Sequence, residues 1–231
     1  MDQFNYSNYD GMSLQGFIAK SFKWMFFGLL IFFATGFAVS TIEPLTILFY
    51  SNPILMIILA FAEIFLVIRL SAGLMKMSVG AARNSFIGYS VISGIFFSSV
   101  FIVFDISMVI YAFLITGVLF GIMAIAGSRT SVDLSKLSTL FLFGLLGLII
   151  VSVVNIFLGS SQLELGISVV AILLFLGITA WDVQRMKRMY YTFASDGELT
   201  NKVAIYGALQ LFLDFVNIFY YLLRIIANSR D

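Results

Sequence analysis

Five ionisable side chains lie inside or at the edge of long apolar stretches of this sequence: Glu63, Arg69, Asp182, Asp214 and Arg224. An uncompensated charge is costly in hydrocarbon, so such residues are expected to face protein, water or an ion. The chain contains no cysteine and no histidine, which excludes disulfides, thiolate or imidazole metal sites and a Ser-His triad. Carboxylates, amides, hydroxyls and a few basic groups are the chemistry that remains.

The last apolar stretch, residues 209–224, reads LQLFLDFVNIFYYLLR and carries one polar stripe. Its polar residues step by four, three, four and three positions, which places them on one face of a helix. They are Gln210, Asp214, Asn217, Tyr221 and Arg224. Gln210 and Asn217 are expected to form interhelical hydrogen bonds, whereas Tyr221 and Arg224 are expected to anchor the outer end of the helix.

Asp182 and Asp214 lie at similar distances along the chain from a turn near residues 196–198. Two straight helices leaving that turn would carry both carboxylates at nearly the same depth. Helix axes pack about 8–10 Å apart, so the two side chains could touch or share a proton. Two close carboxylates cannot both ionise freely, and such a pair binds a proton near neutrality or, when both are charged, a hard cation such as calcium.

Each aspartate also has a simpler interpretation. Asp182 could form a solvent-exposed ion pair with Arg185, one helical turn later, and Asp214 could have a purely structural role. Glu63 lies near the middle of its apolar stretch without a partner close in sequence, and it is the next candidate for an ion path. Arg69 is six positions from Glu63 and not on the same face, so it either extends to the membrane surface or reaches the aspartates as a counter-ion.

The composition indicates a membrane protein. The 231 residues are 61% hydrophobic and 11% charged, with a mean hydropathy of +1.06, whereas soluble domains are typically about 25% charged. The net charge of +1 gives no reason to expect a nucleic-acid partner. The 26 phenylalanines are expected mostly to face lipid. We predict a flexible polar tail over residues 1–16 and one all-α polytopic transmembrane domain over residues 17–231.

Seven membrane spans are predicted, and we predict that the first six pack as two layers of three helices around the seventh. The spans cover residues 17–39, 54–75, 86–104, 108–126, 139–158, 165–181 and 198–228, with residues 40–53 predicted as a loop. The connections after spans two, four and six contain lysine or arginine, whereas those after spans one, three and five contain none. The positive-inside rule therefore places the N-terminus in the cytoplasm. Seven complete spans put the C-terminus outside, and a re-entrant last stretch would put both termini inside.

The motifs GITAWDVQRMK (177–187) and AIYGALQLFLDFVNIFYYLLR (204–224) resemble the Bax inhibitor-1 family, also called the transmembrane Bax inhibitor motif family. The Glu63 span with the following KMSVGAARNSFIGYSVISGIFFSS, and residues 133–161, are similar to bacterial members. The resemblance covers nearly the whole chain after the tail. It implies seven helices, with two three-helix layers around a central last helix, in the bacterial inner membrane.

The resemblance also implies a pH-sensitive calcium leak. In that family an aspartate pair on the last two helices senses pH and binds the ion, and it falls here on Asp182 and Asp214; the glutamate of the second helix falls on Glu63. Some members use a second-helix arginine as a latch, for which Arg69 is the nearest candidate, and some bacterial members associate with a membrane-bound ATP-dependent protease.

Three functions stay open: a passive cation leak, a proton-coupled exchanger, and a non-transporting regulator that binds a membrane protein such as that protease. An enzyme is not expected, because neither aspartate lies in the Tyr-Asp or Gly-x-Gly-Asp motif of intramembrane aspartyl proteases. No cofactor is expected beyond calcium as a bound or transported ion.

Overall fold

The computed structural model describes residues 12–228, which fold into helices joined by short connections, without a strand in that range. Seven of the helices, all but α2, are long and apolar enough to cross a membrane. The predicted all-α polytopic fold is confirmed. The helices are α1 (Leu14–Thr41), α2 (Glu43–Tyr50), α3 (Pro53–Ala72), α4 (Val79–Val103), α5 (Ile106–Arg129), α6 (Ser138–Leu158), α7 (Ser161–Phe193) and α8 (Gly197–Asn228).

Local sequence sets several helix ends. The Ser13 and Ser78 hydroxyls each accept a backbone N–H three residues later, at 3.1 Å, and so cap α1 and α4. Gly159 closes α6 with φ +60°, a left-handed conformation that glycine adopts without steric cost. Because α1 begins at Leu14, it includes the end of the predicted tail, whose first eleven residues lie outside the described part of the chain.

The predicted loop over residues 40–53 is partly wrong, because it contains the short helix α2. Pro44 lies in the first turn of α2, where proline interrupts no internal hydrogen bond. The Thr46 hydroxyl donates to the Val39 carbonyl at 2.5 Å, and the Tyr50 and Ser98 hydroxyls lie 2.9 Å apart. These contacts hold α2 against the ends of α1 and α4.

Helix α8 is the centre of the bundle. It packs against α7, α1, α5 and α4, whereas α3 packs mainly on α4, and α6 packs mainly on α7. The helices α1, α3 and α4 therefore form one group and α5, α6 and α7 another, with α8 between them. This is the arrangement of two three-helix layers that the sequence predicted.

An aromatic cluster fills the centre. The rings of Phe32 and Phe97 lie 4.6 Å apart between centroids, those of Phe97 and Phe219 5.2 Å, and those of Phe32 and Phe212 5.6 Å. All four side chains are buried. The expectation that the phenylalanines mostly face lipid is therefore wrong for this cluster, because close-packed aromatic pairs fill the space around α8.

Two glycines allow very close helix contacts. A Cβ built on Gly127 of α5 would lie 2.2 Å from the Ala180 carbonyl oxygen of α7, and one built on Gly94 of α4 would lie 2.6 Å from the Phe32 carbonyl oxygen of α1. Real Cβ atoms do not approach other atoms so closely. These glycines thus bring the backbones of neighbouring helices together, and the Gly127 contact lies next to Asp182.

Helix α7 continues twelve residues beyond its predicted span, to Phe193, and this extension holds the connection between α5 and α6. The Gln184 side chain accepts the Leu134 backbone N–H at 2.9 Å, and the Lys187 ammonium donates to the Ser128 carbonyl at 2.8 Å. The second half of α7 is therefore an anchor for this loop as well as a membrane helix.

Asp133 completes this anchor. Its carboxylate lies 3.3 Å from the Arg188 guanidinium and accepts the Ser135 hydroxyl at 2.6 Å and the Ser135 backbone N–H at 3.0 Å. The Ser135 hydroxyl, followed by its backbone N–H, holds the pKa of the Asp133 carboxyl below its ordinary value.

Candidate functional site

The two aspartates lie on α7 and α8, which form a helical hairpin joined at residues 194–196. Asp182 is 4% exposed and Asp214 is 3% exposed. Their carboxylates are close enough for the two charges to act on each other. The structure thus brings together the two residues that the sequence singled out, inside the most extensive helix contact of the bundle.

Each carboxylate has an oxygen with no hydrogen-bond partner among the described residues. These atoms are Asp182 Oδ1 and Asp214 Oδ2. The Thr179 hydroxyl, which donates to the Phe175 carbonyl at 2.8 Å, lies beside Asp214. A buried acceptor without a donor is costly. The free oxygens therefore make this a place where a proton, a water molecule or a cation would be stabilised.

The family model described as "Inhibitor of apoptosis-promoting Bax1" matches residues 14–231. The chain belongs to the Bax inhibitor-1 family. It is 36% identical over 219 residues to inner membrane protein YbhL of Escherichia coli K12, covering 94% of this chain and 93% of YbhL. An uncharacterized protein of Deinococcus radiodurans is 38% identical over 215 residues, covering 93% and 91% of the two chains.

Family membership and the seven apolar helices together make this an integral membrane protein. A third relative, an uncharacterized protein of Borreliella burgdorferi, is 35% identical over 215 residues, covering 93% of each chain. Matches of this length extend over every helix of the bundle. They support the Bax inhibitor-1 fold for the whole described chain.

In this Bax inhibitor-1 protein Arg185 does not pair with Asp182, so the solvent-exposed ion pair considered from the sequence is wrong. The Arg185 guanidinium lies over the rings of Trp181 and Tyr206, 5.4 and 5.9 Å from their centroids. Arginine is attracted to the faces of aromatic rings, and this stacking holds the group along the α7–α8 contact. Arg185 still lies near enough to act electrostatically on Asp182.

The other polar residues of the α8 stripe make contacts that differ from those expected. Asn217 donates to the Leu213 carbonyl of its own helix at 2.8 Å, not to a neighbouring helix. The Gln210 Oε1 atom is buried without a partner among residues 12–228. Arg224 forms an ion pair with Glu164 near the start of α7 and lies over the Tyr220 ring. It therefore joins two helices instead of anchoring to lipid.

Glu63 belongs to a separate polar contact. It is partly buried on α3, and the Ser93 hydroxyl of α4 donates to its Oε1 atom. This partner could not be predicted, because Ser93 is thirty positions away in the sequence. Arg69 is exposed and makes no ion pair within the described residues. The structure therefore does not bring Arg69 to the aspartates, and a latch is not formed here.

Three further polar groups belong to the neighbourhood of the aspartates and were missed in the sequence. Thr179 lies one turn before Asp182 on α7, a spacing of three that could have indicated a shared face. The Trp181 Nε1 and Thr116 Oγ1 atoms are buried without partners in the described chain. All the unpartnered buried side-chain atoms found in residues 12–228 lie on α5, α7 and α8, the three helices that pack around the aspartates.

Proposed function

We propose that this protein is a passive, pH-sensitive cation leak of the bacterial inner membrane, that calcium is its principal ion, and that Asp182 and Asp214 are its gate. One observation carries the proposal: the closely packed helices α7 and α8 each bury a carboxylate that has a free oxygen and no ion-paired basic group among the described residues. The name of the relative YbhL supports the choice of membrane.

The pH sensitivity follows from the burial and proximity of the two carboxylates. Two adjacent carboxylates cannot both be charged and buried without a large desolvation and repulsion cost. A proton on one of them removes that cost, and a cation between them also removes it. Because protons and cations use the same oxygens of Asp182 and Asp214, they compete, and the flux depends on pH.

The oxygen ligands that the two aspartates offer suit an ion that is transported and not held permanently. Carboxylate oxygens are hard ligands, which calcium prefers, and calcium takes about 6–8 oxygen ligands. Two aspartates offer at most four oxygens, so water must supply the rest. Such a site binds calcium less firmly than a complete protein cage and releases it readily. The unpartnered atoms of Gln210 on α8 and Thr116 on α5, which packs against both α7 and α8, would add ligands to those from water.

The orientation is part of the proposal. The end of the bundle at which α8 begins carries the basic connections, and the positive-inside rule places this end, with the N-terminus, in the cytoplasm.

The test measures calcium flux into liposomes that contain the purified chain and a calcium-sensitive dye, at a series of pH values. We expect Asp182→Asn and Asp214→Asn each to change the flux and to flatten its pH dependence, because each removes one of the two competing charges. Glu43→Gln is the matched control, since Glu43 is an exposed carboxylate at the start of α2. If both aspartate variants keep the flux and pH profile of the parent, the proposed gate is wrong.

The same liposomes distinguish the alternatives. A leak lets calcium run only down its own electrochemical gradient, whereas an exchanger would accumulate calcium when a proton gradient is imposed. Calcium accumulation would therefore overturn the passive mechanism. Absence of flux from the folded parent protein, with unchanged capture of a membrane protease by the double aspartate variant, would identify a non-transporting regulator instead.

A further inference from the structure

Several basic residues at the end where α8 begins are engaged by the protein itself. Lys20 on α1 donates to the Asn201 side chain of α8. Lys187 donates to the Ser128 carbonyl, Arg188 pairs with Asp133, and Lys202 is 5% exposed and lies 3.3 Å from Glu198. Charges occupied in this way have little capacity left for another partner.

A second group of basic residues lies on α1, α3 and α4 and on the turn between α3 and α4. It consists of Lys23, Arg69, Lys76 and Arg83, which we call the basic patch. All four side chains are exposed, and none makes an ion pair or a side-chain hydrogen bond within the described chain. Glu63 is the one carboxylate on these elements; it accepts the Ser93 hydroxyl and pairs with no member of the patch.

Several contacts place members of the patch at one level of the bundle. The Arg83 guanidinium lies 5.7 Å from the centroid of the Trp24 ring. Trp24 directly follows Lys23 in the chain. A Cβ on Gly88 would lie 3.5 Å from the Leu66 side chain. Because α3 and α4 run in opposite directions, Arg69, one turn after Leu66, lies level with the first turns of α4.

Lipid-facing surface adjoins the patch. Phe26, Phe27, Phe65 and Ile68 lie within three or four residues of its members and are each about half exposed. These side chains are on membrane helices, and α3 is the span with the least buried surface. A ligand held by the patch therefore has acyl-chain surroundings directly beside its charged group. Trp24 also lies at this level, and tryptophan favours the headgroup region.

We propose that the basic patch is a binding site for the headgroup of an anionic phospholipid, whose phosphate contacts Arg83, Lys23 and Arg69 while its chains lie along α3 and α1. Arginine binds phosphate through paired, charge-assisted hydrogen bonds. A free anion would use only the charges, whereas a phospholipid uses the charges and the apolar surface together. The proposal does not depend on the cation leak, and it holds whichever side of the membrane this end faces.

The test uses Trp24 as a local reporter. The chain has two tryptophans, so Trp181→Phe leaves Trp24 as the one indole. The protein is placed in phosphatidylcholine bilayers in which either phosphatidylglycerol or phosphatidylcholine carries bromine atoms that quench indole fluorescence. One basic residue near a membrane surface gives about a fivefold preference for anionic lipid. We expect brominated phosphatidylglycerol to quench with an apparent preference of at least about fivefold.

Lys23→Gln with Arg83→Gln should reduce that preference towards equal quenching by the two lipids. The matched control is Arg129→Gln with Lys136→Gln, which removes two exposed positive charges from the end of α5 and the α5–α6 connection and should keep the preference. Equal quenching by both lipids in the parent would overturn the proposal. Equal losses in the patch and control variants would also overturn it, because they would show attraction by net charge alone.

Two measurements on the unsubstituted protein test the lipid site without relying on variants that could misfold. Native mass spectrometry should show phosphatidylglycerol retained in preference to phosphatidylcholine. Raising the salt concentration towards 1 M should weaken this preference, because it shortens the screening length to about 3 Å. Lack of selective retention at low salt would count against the site.

Discussion

Replacing Gly127 by alanine tests the close approach of α5 and α7 beside the aspartate pair. The new Cβ would lie 2.2 Å from the Ala180 carbonyl oxygen and 2.6 Å from its Cα atom. Ordinary contacts of a Cβ begin at 3.4 Å. Both of these atoms belong to the backbone of a helix and cannot rotate away, so α5 and α7 must separate locally by about 1.2 Å.

This separation should have two effects. Overpacking a well-packed interior typically costs about 1–3 kcal/mol, and a clash between two backbones belongs at the upper end of that range. Ala180 lies two positions before Asp182, so the displacement should also move the Asp182 carboxylate relative to Asp214. We therefore expect the Gly127→Ala variant to lose about 2–3 kcal/mol of unfolding free energy and to shift the pH midpoint of calcium flux.

The stability is measured by denaturant unfolding in detergent micelles, followed by circular dichroism, and the pH midpoint is measured in liposomes. Gly117→Ala and Gly121→Ala are matched controls on the same helix, since a Cβ at either position meets no atom within 4 Å. Both controls should retain the parent's stability, because alanine is the better helix former. If Gly127→Ala unfolds like these controls, the close α5–α7 contact is not present in the folded protein.

Three further predictions concern polar contacts. A double-mutant cycle on Glu164 and Arg224 should give a coupling energy of about 0.5–1 kcal/mol in micelle unfolding, because their side chains are 40% and 30% exposed. Lys202→Met should lower the unfolding free energy by about 1–3 kcal/mol, since the buried ammonium donates to the Met77 carbonyl at 3.1 Å. Asp133→Asn should leave the pH midpoint of flux unchanged, because its lowered pKa keeps that carboxylate charged near neutrality.

These predictions have clear contrary outcomes. A coupling energy of zero would show that Glu164 and Arg224 are not paired in the membrane protein, and an unchanged stability of Lys202→Met would show that its ammonium is solvated. The stabilising contacts of Asp133 are present above the ordinary aspartate pKa, about 4, and are lost as the pH falls through the lowered value. A shift of the flux midpoint in Asp133→Asn would therefore place a pH sensor outside the aspartate pair.

The overall fold could be predicted because each span is a long apolar run that must satisfy its backbone polar groups internally, which only a helix does. The core aromatic cluster could not be predicted, because phenylalanine occurs both on lipid-facing surfaces and in packed interiors. Composition alone does not distinguish the two. Helix α2 was missed because two prolines indicated a loop, although proline at position 44 fits the first turn of a helix.

The candidate site also contains some residues that the sequence predicted and some contacts that it did not. Asp182 and Asp214 were found because a carboxylate deep in an apolar helix is conspicuous and because the intervening turn is local. The partners of Glu63 and Arg224 were not found, since Ser93 and Glu164 are distant in sequence and only the packing of helices brings them near. The stacking of Arg185 on aromatic rings was missed because spacing alone favoured a pair with Asp182.

The central claim is that protons and cations compete for the Asp182–Asp214 pair. The most direct test is calcium flux across a pH series for the parent protein and for the double variant Asp182→Asn with Asp214→Asn, in matched liposomes. The competition predicts a flux that depends on pH in the parent and is insensitive to pH in the double variant. A double variant with the parent's pH profile would contradict the claim.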